Sequence, residues 1–316
     1  MAKDLVAMPN TGAADEVAAL TRVQFGQLAE VPAELEWLAN ITNAKTRRAY
    51  KIDVGEFSAF AGLRSPVEFR RVTRAHVIAW RKHLESRNLA ASTIRRKLSA
   101  VSALFDYLCE RNAIAGNPVD GVKRPAAHSN EGSTPALSDA QARKLLDAPP
   151  EDTLKGVRDR AILATLLYHG IRREELCSLK IKDIQSRQGV MHFRVHGKRD
   201  KIRFIPVHAM AQRLIEEYLA LAGHGSDTAG PVFRPVMNNR TGELQKPLDG
   251  STVLKNIVSK YAQETGVSAK IEGLCVHSLR ATAATNALDN KADIAKVQEW
   301  LGHHPGHAGA SHIGLA

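Results

Sequence analysis

Cysteine is nearly absent. The three residues in 316, Cys109, Cys177 and Cys275, stand far apart and form no CxxC pair. That argues against a disulfide-stapled scaffold and a zinc knuckle. It suits a reducing cytoplasm, with the three as small core residues. No stretch approaches the roughly 20 consecutive apolar residues that a membrane-spanning helix needs. Met1-Ala2-Lys3-Asp4 opens no secretory pattern of basic residue, apolar run and cleavage site. Internal repeats and long heptad runs are missing, which excludes solenoids and coiled coils. So are a Walker loop, an HExxH motif and a DxD-type carboxylate cluster. Chemistry on a phosphate would therefore run on protein cations, and neither metal nor other cofactor is expected. What remains is ordinary globular material, 44% apolar and 24% charged, of a length that suits about two domains.

The charge is uneven. Lys and Arg number 44 against 33 Asp and Glu, a net of +11. Residues 1–40 are net −4, residues 41–125 net +10 and residues 126–316 net +5. A basic middle segment of this size suits a polyanion, most commonly nucleic acid; the plainer reading is a soluble basic surface.

Residues 1–37 lack clear periodicity and read as a tail or loosely attached helix. From Ala44, apolar Tyr50, Val54, Phe57 and Phe60-Ala61 recur at helical steps, with Lys45, Arg47, Arg48 and Lys51 on other faces. Thr73 caps a second helix through Trp80 and Leu84. Ser92 or Thr93 starts a third, with Ile94, Leu98, Val101 and Leu104-Phe105 inward and Arg95, Arg96 and Lys97 in its first turn. Basic residues there oppose the helix dipole, which makes them candidates for DNA-backbone contact rather than only a solvated face. Lys45 and Arg48 join them as candidates. Asn117-Pro118 closes the helical region. The Pro-, Ser-, Gly- and Asn-rich stretch around 126–137 reads as a linker between a domain at 38–125 and another at 138–316.

The second half is mixed. Ser138-Asp139 precedes a new periodicity; residues 158–179 read as helix broken at His169-Gly170; residues 189–207 read as a hairpin with Gly197-Lys198-Arg199-Asp200 at its tip; helices resume near 252–265, 278–289 and 293–301, the last capped by Gly302. Within this frame Arg172, Lys198, His277, Arg280 and His303 sit in tight local contexts. His277 and Arg280 are three apart, on one face of a helix start. Two arginines can fork onto phosphate oxygens, and Lys or His can give a proton to a departing oxygen. Singly, each has a bland reading as a surface, turn or core residue. The ordered set is what suits a pentavalent phosphoryl transition state.

The stretches YHGIRREELCSLKIKDI, VHGKRDKIRFIPV, VHSLRATAATNAL and VQEWLGH resemble, in order and spacing, the tyrosine recombinases or phage integrases, most like the Xer-type branch. NAKTRRAYKIDVGEFSAF through STIRRKLSAVSALFDYL to NPVDGVKRP is similar to that family's core-binding domain. The resemblance spans roughly residues 38 to 303. It implies a mainly α fold: a helical, SAM-like N-terminal domain and an α-rich catalytic domain with a small antiparallel sheet, forming a C-shaped clamp on double-stranded DNA. It implies that Arg172 and Arg280 clamp the scissile phosphate and that Lys198 is the general acid for the 5′-oxygen. His277 would assist proton transfer, His303 would bind the phosphate or orient the nucleophile, and Glu175 would support the first arginine. It further implies homo-oligomers on DNA, a dimer per site and a tetramer in the synapse, given an intact C-terminal segment.

One element departs from the family pattern. The family's nucleophile is a tyrosine beyond the last histidine, and the expected position holds His312. All five tyrosines, Tyr50, Tyr107, Tyr168, Tyr218 and Tyr261, lie upstream of His277, and the character of the chain changes from 304. Three expectations follow: a frameshift or truncation after Gly302-His303, a DNA-binding regulator without cleavage, or another nucleophile such as Ser311 or His312. A relaxing enzyme of type IB topoisomerase kind fits less well, because of the separate core-binding half. The leading expectation is a site-specific recombinase scaffold, deficient in cleavage.

Overall fold

The structure, a computed structural model, describes residues 22–24, 31–126, 134–197, 201–237, 242–271 and 273–302. Lys198, His303, His312 and the tail from 304 lie outside them, as do most of residues 1–30 and of the linker. The chain divides into two compact units, Met1–His128 and Ser129–Ala316. No helix among the described residues is long and apolar enough to cross a membrane.

The first unit is helical: α1 (Ala33–Asn40), α2 (Ala44–Ala61), a 3₁₀ turn at Pro66–Arg71, α3 (Arg74–Ser86) and α4 (Ala91–Glu110). Asn43 caps α2 by accepting from the Lys45 and Thr46 amides, at 3.0 and 3.1 Å. Gly62 ends it with φ 69°, a left-handed turn that lets Leu63 N–H reach Ser58 O at 2.9 Å. Thr73 caps α3 together with His76. The core is aromatic: Phe57 meets Trp80 edge-on at 5.0 Å and Phe105 at 6.4 Å, and Phe69 meets Phe105 at 6.0 Å. Ile94, Leu98, Val101, Leu104, Phe105 and Leu108 form the inward stripe of α4.

The second unit runs α5 (Asp139–Leu146), α6 (Leu154–His169), α7 (Arg173–Ser178), β1 (Ile184–Arg187), β2 (Val190–His196), β3 (Ile202–Pro206) and α8 (Ala209–Ala222). Then come α9 (Gly250–Thr252), a π-helical stretch at Val253–Ser259, α10 (Lys260–Glu264), α11 (Val276–Asp289) and α12 (Ile294–Leu301). The strands form one antiparallel sheet in the order β1-β2-β3. Gln188 and Gly189, both at positive φ, make the tight β1–β2 turn. Phe193, Val195 and Ile205 face the core. Helix α6 is buried on nearly every side, packed against α8 and α11, and is the axis of the unit.

The main departures from the sequence reading are local. Strand β1 was not anticipated, since Ile-Gln-Ser-Arg carries a single apolar residue. Helix α8 was also missed, although Ala211, Leu214, Ile215 and Tyr218 are buried at helical spacing. Helix α4 begins at Ala91, so Arg95, Arg96 and Lys97 fall in its second turn, not its first. Of the cysteines only Cys177 is buried; Cys109 and Cys275 are half-buried.

Candidate functional site

The second unit gathers Arg172, Glu175, Arg203 and Arg280 where α6, α7, β3, α11 and α12 meet. Gly170 ends α6 with φ 55°, and a Cβ there would stand 2.9 Å from a Leu301 methyl and 3.4 Å from Ala283 Cβ. Only glycine suits that conformation and that close approach. Ile171 is then fully buried, and Arg172 becomes the cap of α7. Its backbone N–H donates to Glu175 Oε2 at 2.8 Å and its Nη1 to Oε1 at 2.9 Å. The same carboxylate accepts from Arg203 Nη1 at 3.0 Å and Nη2 at 2.7 Å. Burial alone would raise the Glu175 pKa; the hydrogen bonds from Arg203 and Arg172 outweigh it and hold the carboxyl at about 2.

Arg280 comes from the second turn of α11. Its Nη1 donates to Gly170 O and its Nη2 to Leu301 O, which joins the end of α6 to the end of α12. Burial, then the neighbouring Arg172 and Arg203, lower its pKa to about 9 against the opposing pull of Glu175. It stays charged at neutral pH. His277, one turn earlier, keeps a solvent-exposed edge. Packing on its inner side, followed by the charges of Arg280, Arg172 and Arg173, pushes its pKa down and favours neutral imidazole. Gly302 closes α12 with φ 71°; a Cβ there would lie 3.3 Å from Arg203 Nη1 and 3.4 Å from Arg172 Nη1.

The chemical consequence is an anion site. Among the described residues Arg172 and Arg203 share the Glu175 carboxylate and Arg280 bonds only to backbone carbonyls, so three guanidinium groups stand with one acidic partner in a partly buried setting. Forked donors in such a setting favour a multiply charged oxyanion. Arg172, Glu175, His277 and Arg280 are thus brought together, whereas Lys198 and His303 lie outside the described residues. Among the described residues no three His, Cys, Asp or Glu side chains gather as a metal site.

Arg203 has no place in the sequence reading, which takes as apolar positions of the strand Ile205 and Val207 and, of the other parity, Ile202 and Phe204. Those two side chains are exposed, and Arg203 shares the inward parity of Ile205. An arginine at an inward strand position was the available signal, because a buried charge requires a partner.

The tyrosines of this unit are engaged elsewhere. Tyr218 and Tyr261 are each 1% exposed. Tyr218 Oη accepts from the Arg234 amide at 3.2 Å, and Tyr261 Oη donates to Asp159 at 3.0 Å. Tyr168 lies flat on the His208 ring at 4.0 Å.

In the first unit Lys45 and Arg48 are exposed on α2. The α4 triplet is not a free basic patch. Arg95 donates to Pro125 O at 3.2 Å, and Arg96 is paired with Asp53. Lys97 is 6% exposed, with Nζ 3.1 Å from Asp53 Oδ1 and also bonded to Glu56. Position 97, three residues after Ile94 and four before Val101, shares their inward face, so its charge must be matched inside.

The profile described as "Phage integrase family" matches residues 135–307, and that described as "Phage integrase, N-terminal SAM-like domain" matches residues 36–112. A tyrosine recombinase XerC of Syntrophus aciditrophicus is 33% identical over 275 residues, covering 82% of this chain and 83% of the relative. The XerC of Pelobacter propionicus is 32% identical over 261 residues, covering 82% and 80%. Among solved structures, XerH recombinase bound to a palindromic difH substrate aligns with a TM-score of 0.66 at 18% identity, covering 99% of this chain and 88% of that one. A lambda integrase tetramer bound to a Holliday junction aligns at 0.62 and 18% identity, covering 87% and 73%.

Proposed function

The chain belongs to the phage integrase family of tyrosine recombinases, and from that premise we propose that it binds duplex DNA and presents a metal-independent phosphoryl-transfer site to a backbone phosphate. The observation that carries this reading is the Arg172–Glu175–Arg203–Arg280 cluster with its excess of positive charge. Arg172 and Arg280 hold the non-bridging oxygens, with Glu175 orienting Arg172. His277, kept neutral, exchanges a proton with the phosphoryl group or its surroundings. Lys198 protonates the departing 5′-oxygen, and His303 adds a further hydrogen bond to the phosphate. Lys45 and Arg48 are the first-unit candidates for the DNA backbone, with Arg95 and Arg96 at its margin. Oligomers on DNA, two per site and four in a synapse, and a place in the cytoplasm belong to the same reading.

Within these 316 residues no tyrosine follows His303, and the tyrosines of the second unit are engaged away from the arginines. On this ground the reading is of a scaffold that binds and polarises a phosphodiester and is deficient in cleavage. A second reading, a regulator that occupies recombination sites without cutting them, draws on that same observation.

The test uses duplex DNA from the organism's own recombination loci. Affinity should fall steeply with salt, because many cations displace counterions, and denaturing gels should show no covalent protein–DNA adduct. Salt-insensitive binding would overturn both readings. An adduct would overturn the cleavage-deficient one.

A further inference from the structure

Arg203 stands on β3, three residues beyond Asp200 in sequence. None of the roles proposed above assigns it a function, yet it makes three hydrogen bonds to two separate parts of the site. Nη1 and Nη2 fork onto the two oxygens of Glu175, at 3.0 and 2.7 Å, and Nε donates to the carbonyl of Trp300 at 2.9 Å. One planar group therefore joins the sheet to the carboxylate that orients Arg172 and to the last turn of α12. Its side chain is 14% exposed, that of Arg172 33%. Arg203 is thus held within the site, and Arg172 keeps a face open to it. With the Arg172 backbone and side chain also bonded to Glu175, both carboxylate oxygens are occupied and the carboxylate has a single orientation. The carbonyls of Trp300 and Leu301, otherwise orphaned at a helix end, are taken by Arg203 and Arg280.

Resting on the phosphate-site reading, we propose that Arg203 is a positioning residue. It fixes Glu175 so that Arg172 faces the phosphate, and it holds the end of α12 against the two arginines. Lysine cannot replace it, because an ammonium is a point charge without the fork that spans a carboxylate and a carbonyl together.

The test titrates the full chain with sodium tungstate, a tetrahedral oxyanion, and follows the His277 ring-proton resonance by NMR. Thermal melting is recorded alongside. Wild type should bind tungstate. Arg203→Met should bind about tenfold or more weakly, as expected when an orienting group is lost. Arg203→Lys should recover melting temperature more than tungstate affinity. Glu175→Gln should weaken binding, and adding Arg203→Met to it should cost little more, since the two act through one pair. If Arg203→Met does not fold, Arg203→Lys takes its place in that cycle. Wild-type binding together with Arg203 variants within about twofold of it, or additive losses in the cycle, would overturn the positioning role alone. A wild type that does not bind tungstate would overturn the phosphate-site reading itself, and the positioning role with it.

Discussion

The two units each bury cations beside carboxylates, with opposite results. In the first, the buried Lys97 sits between Asp53 and Glu56, and the surface Arg96 and Arg87 each pair with one of these two carboxylates, so that the one surplus charge lies at the surface. Every carboxylate has its cation, and the network locks α4 onto α2. In the second, among the described residues, Glu175 alone answers Arg172 and Arg203, and Arg280 is left with backbone carbonyls. The first arrangement is closed and holds helices together. The second, among the described residues, has two more cations than carboxylates, which is what the proposed phosphate site requires. Basic residues in a sequence are therefore ambiguous until the carboxylates that face them are known.

The closed network should break when it loses an acid. Asp53→Ala leaves Lys97 buried with Glu56 alone and should cost about 3 kcal/mol, read as a lowered urea midpoint. The open cluster should respond to acid. The carboxyl of Glu175 is held at about 2, below its ordinary 4.5. Its contribution is fully present above pH 4.5 and is lost as pH falls through about 2, roughly 3 kcal/mol in all. Glu175→Gln should flatten that acid limb of a urea midpoint series. His169 separates the effects of burial and pairing. It is buried and neutral, with Nε2 accepting from the His208 amide at 2.9 Å and Nδ1 donating to Thr165 O at 3.0 Å. Burial lowers its pKa to about 4. Its contribution is fully present above pH 6.5 and fades between 6.5 and 4, again roughly 3 kcal/mol. The same series should therefore show a second, higher window that Glu175→Gln leaves in place. The smallest effect belongs to Arg96→Ala. Its side chain is 47% exposed, though it shares Asp53 with Lys97, so the loss should stay below about 1 kcal/mol.

The long helices were legible because apolar residues recur at helical steps and Thr73, Ser138 and Gly302 punctuate them. Strand β1 was illegible for want of alternation, and α8 was legible but passed over. Arg172, Glu175, His277 and Arg280 could be found because each sits in a short, ordered motif. The pairing of Lys97 could not, since Asp53 and Glu56 are more than forty residues away in sequence and meet it only through packing. Arg203 fell between: its inward parity was visible, its partners were not.

The contrast between the closed and open clusters is tested most directly by duplex-DNA affinity as a function of salt, for wild type, Arg172→Ala and Lys97→Met, at a temperature where all three are folded. Arg172→Ala should weaken binding and reduce the slope of log affinity against log salt by about one, and Lys97→Met should leave the slope unchanged. A flattened slope in Lys97→Met with none in Arg172→Ala would contradict the assignment of the open cluster to phosphate and the closed one to structure.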